Sequence, residues 1–161
     1  MNNRLTKVGK CLSLLALCTS AAYLTGCKDN FSDKDVEDAT INLPQTRSLL
    51  QDKPGEALAI DTRSPAEFSA GHIPGAQNLE LSAVSANHDS IDPALAAYHT
   101  LVVYGADPGS ASGKAMTKKL MRAGHKDVKY FAGGFAEWMA AGMRTEGSGP
   151  ARPSRAAPVP H

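Results

Sequence analysis

The chain of 161 residues is long enough for one domain with extensions, since most domains contain about 100 to 150 residues. Hydrophobic residues make up 42% of it and charged residues 20%, an ordinary globular composition. Its formal charge is +1, and its basic residues are scattered and never interleaved with aromatic ones, which argues against a nucleic-acid-binding protein.

The first 26 residues have the pattern of an export signal. Arg4, Lys7 and Lys10 precede every acidic residue, and the apolar run after them is too short to span a membrane comfortably. Leu-Thr-Gly-Cys at 24–27 then resembles a bacterial lipobox, which implies that residues 1–26 are removed and that Cys27 is acylated. An ordinary secretory signal with an incidental Cys27 is the alternative. Acylation predicts a protein anchored in a lipid bilayer of the bacterial cell envelope and facing the periplasm, with the inner or outer membrane left open.

Cysteine is confined to the beginning of the chain. All three cysteines, Cys11, Cys18 and Cys27, lie in the leader or at its cleavage site. Once Cys27 is a thioether, the mature protein is expected to contain neither a disulfide nor a free thiol.

The segment after Cys27 leads into the first predicted elements. Residues 27–40 are polar and acid-rich, which predicts a lipid-anchored tether, and the folded domain is expected over 41–144. A short helix is predicted over 43–50, and the apolar run at 57–61 predicts a buried strand.

The next predicted element is a helix whose N-terminus has a clear sequence pattern. Ser64 suits the N-cap, Pro65 the first helical position and Glu67 the third, which together approximate a capping box. Gly71 is expected to end this helix, a turn follows at 72–75, and 76–81 predicts a second short strand.

The second half of the chain repeats the alternation of strand and helix. The sequence predicts strands at 101–104 and 128–131, a glycine-rich loop at 105–113, a following helix and a last helix at 135–141. Together these elements predict the α/β class, a small parallel β-sheet with helices on both faces. Residues 145–161 are rich in Gly, Pro and Ala without periodicity, which predicts a disordered tail.

Two long motifs resemble a known family. IDTRSPAEFSAGHIPGAQNLEL, at 60–81, resembles the opening signature of the rhodanese-like domain, and FAGGFAEWMAAGM, at 131–143, resembles its closing signature. The segment between them has the matching order and spacing. The resemblance covers about 41–144 and implies a small α/β fold with a parallel sheet.

The resemblance also implies a site at the loop after the 101–104 strand. In active members that loop begins with a cysteine, which takes a sulfane sulfur from thiosulfate or a related donor as a persulfide. Gly105 stands at the matching position, residues 106–112 include no basic side chain, and the loop is about one residue longer than in active members. A persulfide on the mature chain is therefore not expected.

The backbone N–H groups of such a strand–loop–helix turn could still form a bowl for an anion. The loop and anion-binding candidates are Gly105, Ala106, Asp107, Gly109, Ser110, Ser112 and Lys114. Glycine at 105 is expected to leave this bowl roomier, and the two serine hydroxyls are expected to cap the following helix rather than to replace a thiol.

The remaining motif residues favour structural roles. They are Asp61, Arg63, Glu67, His72, Gly133, Gly134 and Trp138. We expect an ion pair between Asp61 and Arg63, contact of Glu67 with Arg63 or with a backbone N–H, a backbone hydrogen bond from His72, and a core position for Trp138. The histidines show no metal-ligand spacing, so neither a metal nor a cofactor is expected.

Three functions fit this sequence. The favoured one is a non-catalytic binding module whose partner is a periplasmic protein or a small anion. The alternative is a thiosulfate-type sulfurtransferase that acts by a cysteine-independent or partner-dependent route. The third is a degenerate domain that serves as an interaction surface.

Overall fold

The computed structural model describes residues 31–52, 54–84 and 92–149, so the leader at 1–26 and Cys27 lie outside the described residues. The strands form one parallel sheet in the order β1-β5-β4-β2-β3. Their bounds are β1 Thr40–Ile41, β2 Ala57–Asp61, β3 Gln77–Asn78, β4 Thr100–Tyr104 and β5 Val128–Phe131.

Six α-helices connect and cover these strands in the described part of the chain. They are α1 Asp33–Asp38, α2 Leu43–Arg47, α3 Pro65–Ala70, α4 Pro93–Ala96, α5 Ala111–Arg122 and α6 Gly134–Ala140. A π-helical turn, Ser48–Asp52, extends α2, and a 3-10 turn occupies Leu81–Ala83. None of the helices within these described ranges has both the length and the apolar character needed to cross a bilayer.

The two faces of the sheet support separate hydrophobic cores because side chains alternate along each strand. Leu101 and Val103 of β4 pack with Met116 and Leu120 of α5 on one face. Val102 and Tyr104 pack with Trp138 of α6 on the other. The predicted parallel sheet with helices on both faces is therefore confirmed.

The folded part begins earlier than the sequence predicts. Residues 33–41, most of which were expected to belong to the tether, instead form α1 and β1. Val36 of α1 is only 3% exposed, Lys118 binds Asp33, and Thr40 pairs with Tyr130 at the sheet edge. Burial of Val36 and Ala39 and the pairing of β1 with β5 thus hold this acid-rich segment on the domain.

The folded part also ends later than the predicted boundary at 144. Residues 145–149 run beside the end of α3 as an extended strap, rather than starting a disordered tail. Glu146 exchanges two backbone hydrogen bonds with His72, and the N–H groups of Ser148 and Gly149 donate to the carbonyls of Ser69 and Ala70. Backbone pairing fixes this segment without help from hydrophobic periodicity, and residues 150–161 lie outside the described ranges.

Candidate functional site

The candidate site lies at the carboxyl edge of the sheet. Asp61, Tyr104 and Phe131 end β2, β4 and β5 side by side in register. Gly105 follows β4 directly and is buried, residues 106–109 are exposed, and α5 starts at Ala111. Parallel α/β sheets bind ligands at this edge, so the loop is correctly positioned for a functional site.

The start of α6 clamps the loop from the other side of the sheet. The N–H groups of Phe135 and Ala136 donate to the carbonyls of Gly105 and Ala106, both at 2.9 Å. Gly134 has a φ of +62°, and a Cβ there would lie 2.8 Å from the carbonyl oxygen of Gly105 and 2.9 Å from the amide nitrogen of Asp107. Only glycine combines that φ with that approach, which explains the glycine at position 134.

Ser110 fills the space above Gly105. An ideal Cβ built on Gly105 would overlap both Oγ and Cβ of Ser110. The sequence suggested that glycine at 105 would leave the bowl roomier. That expectation is wrong, because the side chain of Ser110 occupies the space. Because the Cβ of Ser110 is fixed to the backbone, a larger residue at 105 would require the loop itself to move.

A chain of hydroxyl groups holds Ser110 in this place. Its Oγ lies 3.0 Å from Oγ of Ser112, which lies 3.0 Å from Oγ1 of Thr62, and Thr62 donates to the carbonyl of Tyr104 at 3.0 Å. Ser110 occupies the N-cap position of α5, but its hydroxyl makes no capping hydrogen bond. The expectation that it caps the helix is wrong because the hydroxyl is engaged with Ser112.

Sequence reasoning missed Thr62. It lies between Asp61 and Arg63, and alternation along an extended segment directs its side chain away from theirs and toward the loop. That alternation is the one sequence signal that could have identified it.

Asp61 and Arg63 form a buried ion pair. Nε of Arg63 lies 3.0 Å from Oδ1 of Asp61, Nη2 lies 2.5 Å from Oδ2, and Nη2 also donates to the carbonyl of Gly71 at 2.7 Å. The guanidinium stacks 4.0 Å from the ring centroid of Phe135. Burial alone would lower the pKa of Arg63, but its hydrogen bonds and attraction to Asp61 raise that pKa overall. Burial has the opposite effect on a phenol and raises the pKa of Tyr104.

The other motif side chains are engaged in local structure. Glu67 accepts from the N–H and hydroxyl of Ser64, which lowers its pKa, and it completes a capping box. Nδ1 of His72 lies 2.8 Å from the carbonyl of Phe68, and the two rings stack. Trp138 is fully buried, and its indole N–H donates to the carbonyl of Arg144.

Lys114 is exposed and lines a surface depression with Gly109 of the loop and with Val36 and Tyr130. Burial raises the pKa of Tyr130, and the negative charge of Asp107 adds to that effect. Over residues 31–52, 54–84 and 92–149, no three His, Cys, Asp or Glu side chains converge as metal ligands would.

Comparison with known protein families agrees with this fold and these motifs. A family model described as the rhodanese-like domain matches residues 44–141. The chain belongs to the rhodanese-like domain family. That family assignment covers α2 through α6, and with them the loop, the ion pair and the Gly133-Gly134 turn.

Named relatives of this rhodanese-like protein are sulfurtransferases. It is 33% identical over 94 residues to thiosulfate sulfurtransferase 16, chloroplastic, of Arabidopsis thaliana, covering 54% of this chain and 78% of that protein. It is 32% identical over 111 residues to human thiosulfate:glutathione sulfurtransferase, covering 62% and 92%. The solved structure of a human single-domain sulfurtransferase superimposes with a TM-score of 0.51 at 29% identity, covering 63% of this chain and 96% of that one.

Proposed function

We propose that this protein is a lipid-anchored rhodanese-like domain of the cell envelope that acts by binding a partner rather than by carrying sulfur. Gly105 stands where active members of the family have their cysteine, and the sequence contains no cysteine after Cys27. Only a thiolate among the common side chains both attacks a sulfane-sulfur donor and holds the transferred sulfur. The mature chain then has no group that can form the persulfide.

The observation that carries this proposal is the position of Ser110. A site that had merely lost its thiol would leave a cavity the size of a side chain beside Gly105. Instead Ser110 takes that volume and is tied through Ser112 to Thr62. The loop is packed around glycine, which fits a protein in which this position does no chemistry.

The loop favours a protein partner over a small anion. Its exposed residues 106–109 include the carboxylate of Asp107, which repels anions. The nearest cation in the loop-to-helix segment, Lys114, is exposed and lines a depression that includes only Gly109 of these loop residues. The hydroxyls of Ser110 and Ser112 are hydrogen-bonded to each other. What remains for recognition is the exposed backbone of residues 106–109, where the carbonyl of Ala106 accepts from α6.

The proposed anchor would hold the folded domain near a membrane. Acylation of Cys27 leaves five residues before the N-cap of α1 at Ser32, and five residues extend at most about 18 Å. With two or more acyl chains the attachment is stable. The domain is thus held close to the bilayer surface, where its partner is expected.

Sulfur transfer is the second candidate because the relatives reported above bear sulfurtransferase names. On this chain it would need a thiol supplied by a partner, since neither Ser110 nor Ser112 can carry sulfur. A thiosulfate-to-cyanide assay separates the two functions directly.

The test compares four full-length proteins in that assay: wild type, Gly105→Cys, Ser110→Gly, and the double variant Gly105→Cys/Ser110→Gly. We expect background rates for wild type and Ser110→Gly. Gly105→Cys should lose about 1–3 kcal/mol of stability through overpacking. The double variant should be more stable than Gly105→Cys and gain turnover.

Two results would contradict the proposal. Wild-type turnover above that of heat-inactivated protein would show that glycine at 105 does not prevent sulfur transfer. Equal stability of Gly105→Cys and the double variant would show that Ser110 does not occupy the space of the missing side chain. Metabolic labelling with a radioactive fatty acid, lost in Cys27→Ser, tests the anchor separately.

A further inference from the structure

A cleft lies between α3 and α6, and the strap at 145–149 forms one of its walls. Its volume is about 450 Å³, which lies within the range of cavities that hold small organic ligands. None of the loop residues 105–112 lines this α3–α6 cleft. A ligand bound there would therefore need no chemistry at Gly105.

The walls of the cleft are held in place by contacts within the protein. Arg63 donates to the carbonyl of Gly71 at 2.7 Å, and its guanidinium stacks 4.0 Å from the ring centroid of Phe135. The N–H groups of Ser148 and Gly149 donate to carbonyls at the end of α3. A ligand would meet a preformed surface and would not have to order these segments, which lowers the cost of binding.

The side chains that α3 and α6 contribute to the cleft are mainly apolar. Phe135 and Met139 of α6 are half-buried and line it, and Ala70 of α3 lines it as well. An aromatic or aliphatic group placed against them would remove apolar surface from water, which favours binding. The cleft therefore suits a ligand with an apolar body.

The charged groups of the cleft favour a cation over an anion. Arg63, the one cationic side chain in its described lining, is already paired with the fully buried Asp61. Glu146 adds negative charge, but its Oε2 accepts from the N–H of Gly75. Glu67 is exposed, and hydrogen bonds from the N-cap of α3 to its Oε2 lower its pKa, so it is ionised at neutral pH. No donor among the described residues reaches Oε1 of Glu67, which leaves that oxygen for a ligand.

We propose that the α3–α6 cleft binds a small organic amine, in which a protonated ammonium group is attached to an aromatic or aliphatic body. The body packs on Phe135 and Met139, and the ammonium group donates to Oε1 of Glu67. A ligand with a carboxylate in place of the ammonium group would face two carboxylates and a guanidinium that is already paired. This assignment is independent of the function proposed for the loop.

Binding is measured with 4-phenylbutylammonium as the probe. Its matched controls, 4-phenylbutan-1-ol and 4-phenylbutanoate, keep the apolar body but are neutral and anionic. The full-length protein in nanodiscs of zwitterionic lipid carries carbon-13 in its methionine methyl groups, which are followed by NMR. Met139 lines the cleft, whereas Met116 is buried against β4 on one face of the sheet and serves as an internal control.

We expect the amine to shift the Met139 methyl resonance saturably and to leave that of Met116 unchanged. A ligand of about eleven non-hydrogen atoms should have a Kd on the order of millimolar. The alcohol should bind about two- to fivefold more weakly, because it lacks the ion pair with an exposed carboxylate. The carboxylate should bind more weakly still.

Two variants separate the charge from the apolar surface. Glu67→Gln keeps an acceptor for the N-cap of α3, and it should weaken binding of the amine about two- to fivefold without changing binding of the alcohol. Its control is Glu37→Gln, at an exposed position of α1, which should change neither. Ala70→Leu fills part of the cleft and should weaken binding of both probes, whereas Ala66→Leu, at an exposed position of α3 outside the cleft lining, should not.

Equal affinity for the three probes would overturn the proposal, because the charge of Glu67 would then select nothing. So would tighter binding of the carboxylate, which would make Arg63 the available charge. A Met139 shift that does not saturate, or that Met116 shares, would indicate partitioning into lipid rather than a site. An unchanged Met139 resonance at about ten times the expected Kd would show that the cleft takes no amine. The sulfur-transfer assay of Gly105 variants does not bear on any of these outcomes.

Discussion

Two ion pairs, those of Asp61 and Asp38, show how differently single residues contribute to the stability of this fold. Asp61 is fully buried and binds the guanidinium of Arg63, a residue that is only 8% exposed. Asp38 makes an ion pair of similar geometry with Lys34, but there both side chains are largely exposed, at 65% and 75%. A buried charge that loses its partner keeps its desolvation cost, whereas an exposed one returns to water.

This difference in burial predicts that replacing aspartate by alanine destabilises the protein far more at position 61 than at position 38. Asp61→Ala leaves Arg63 buried without a counter-charge and should lower the free energy of unfolding by about 3–5 kcal/mol. Asp38→Ala, the matched control, should change it by less than about 1 kcal/mol. Urea unfolding followed by the fluorescence of Trp138, the single tryptophan in the chain, measures both. If the two variants proved equally stable, Arg63 would have another way to be solvated.

At the scale of elements, short helices are stabilised mainly at their first turns. Capping boxes are formed by Ser32 with Asp35, Asn42 with Gln45, and Ser64 with Glu67. Each satisfies N–H groups that a helix of five or six residues would otherwise leave unpaired. The third box also positions α3, whose end carries both the carbonyl that binds Arg63 and those that bind the strap.

Ser64→Ala should therefore destabilise the protein by about 1 kcal/mol at neutral pH. Because the folded pKa of Glu67 is lowered, its ionised form contributes stability that is present above pH 4.5 and lost as the pH falls through the folded pKa. The difference between wild type and Ser64→Ala should accordingly shrink below pH 4.5. Ser69→Ala removes an exposed hydroxyl from the same helix and should stay within about 0.5 kcal/mol of wild type at every pH. If the difference in stability between wild type and Ser64→Ala did not change with pH, the ionised Glu67 would not contribute to it.

The sequence predicts this architecture well where local signals are strong. The apolar runs of β2 and β5 and the Ser64-Pro65 start of α3 lie where expected, because burial and capping impose them locally. It fails at α1, where one valine among acidic residues gives no periodic signal. It also fails at Ser110, whose direction depends on the path of the loop between β4 and α6 rather than on its own neighbours. The positions of these elements along the chain were predictable, but the packing of Ser110 over Gly105 was not.

At the scale of the folded domain, segments that lie far apart in sequence are joined by backbone hydrogen bonds. The strap at 145–149 pairs with residues 69–72, and α6 clamps the loop that follows β4. Gly147, at a φ of +134°, brings the strap so close that a Cβ there would lie 2.8 Å from the Cα of Gly71. The folded unit thus includes Gly149, and the strap fixes the end of α3.

Shortening the chain in two steps tests that boundary. A protein that ends at Gly149 keeps the four backbone hydrogen bonds of the strap, at 2.7 to 2.9 Å, and should unfold at nearly the urea concentration of the full chain. A protein that ends at Arg144 loses all four, and at about 0.5–1.5 kcal/mol for each it should be less stable by roughly 2–6 kcal/mol. Trp138 remains in both proteins, so the same fluorescence signal reports both transitions. Equal midpoints for the two shortened proteins would mean that the strap rests on the domain without stabilising it, and the structural boundary would return to residue 144.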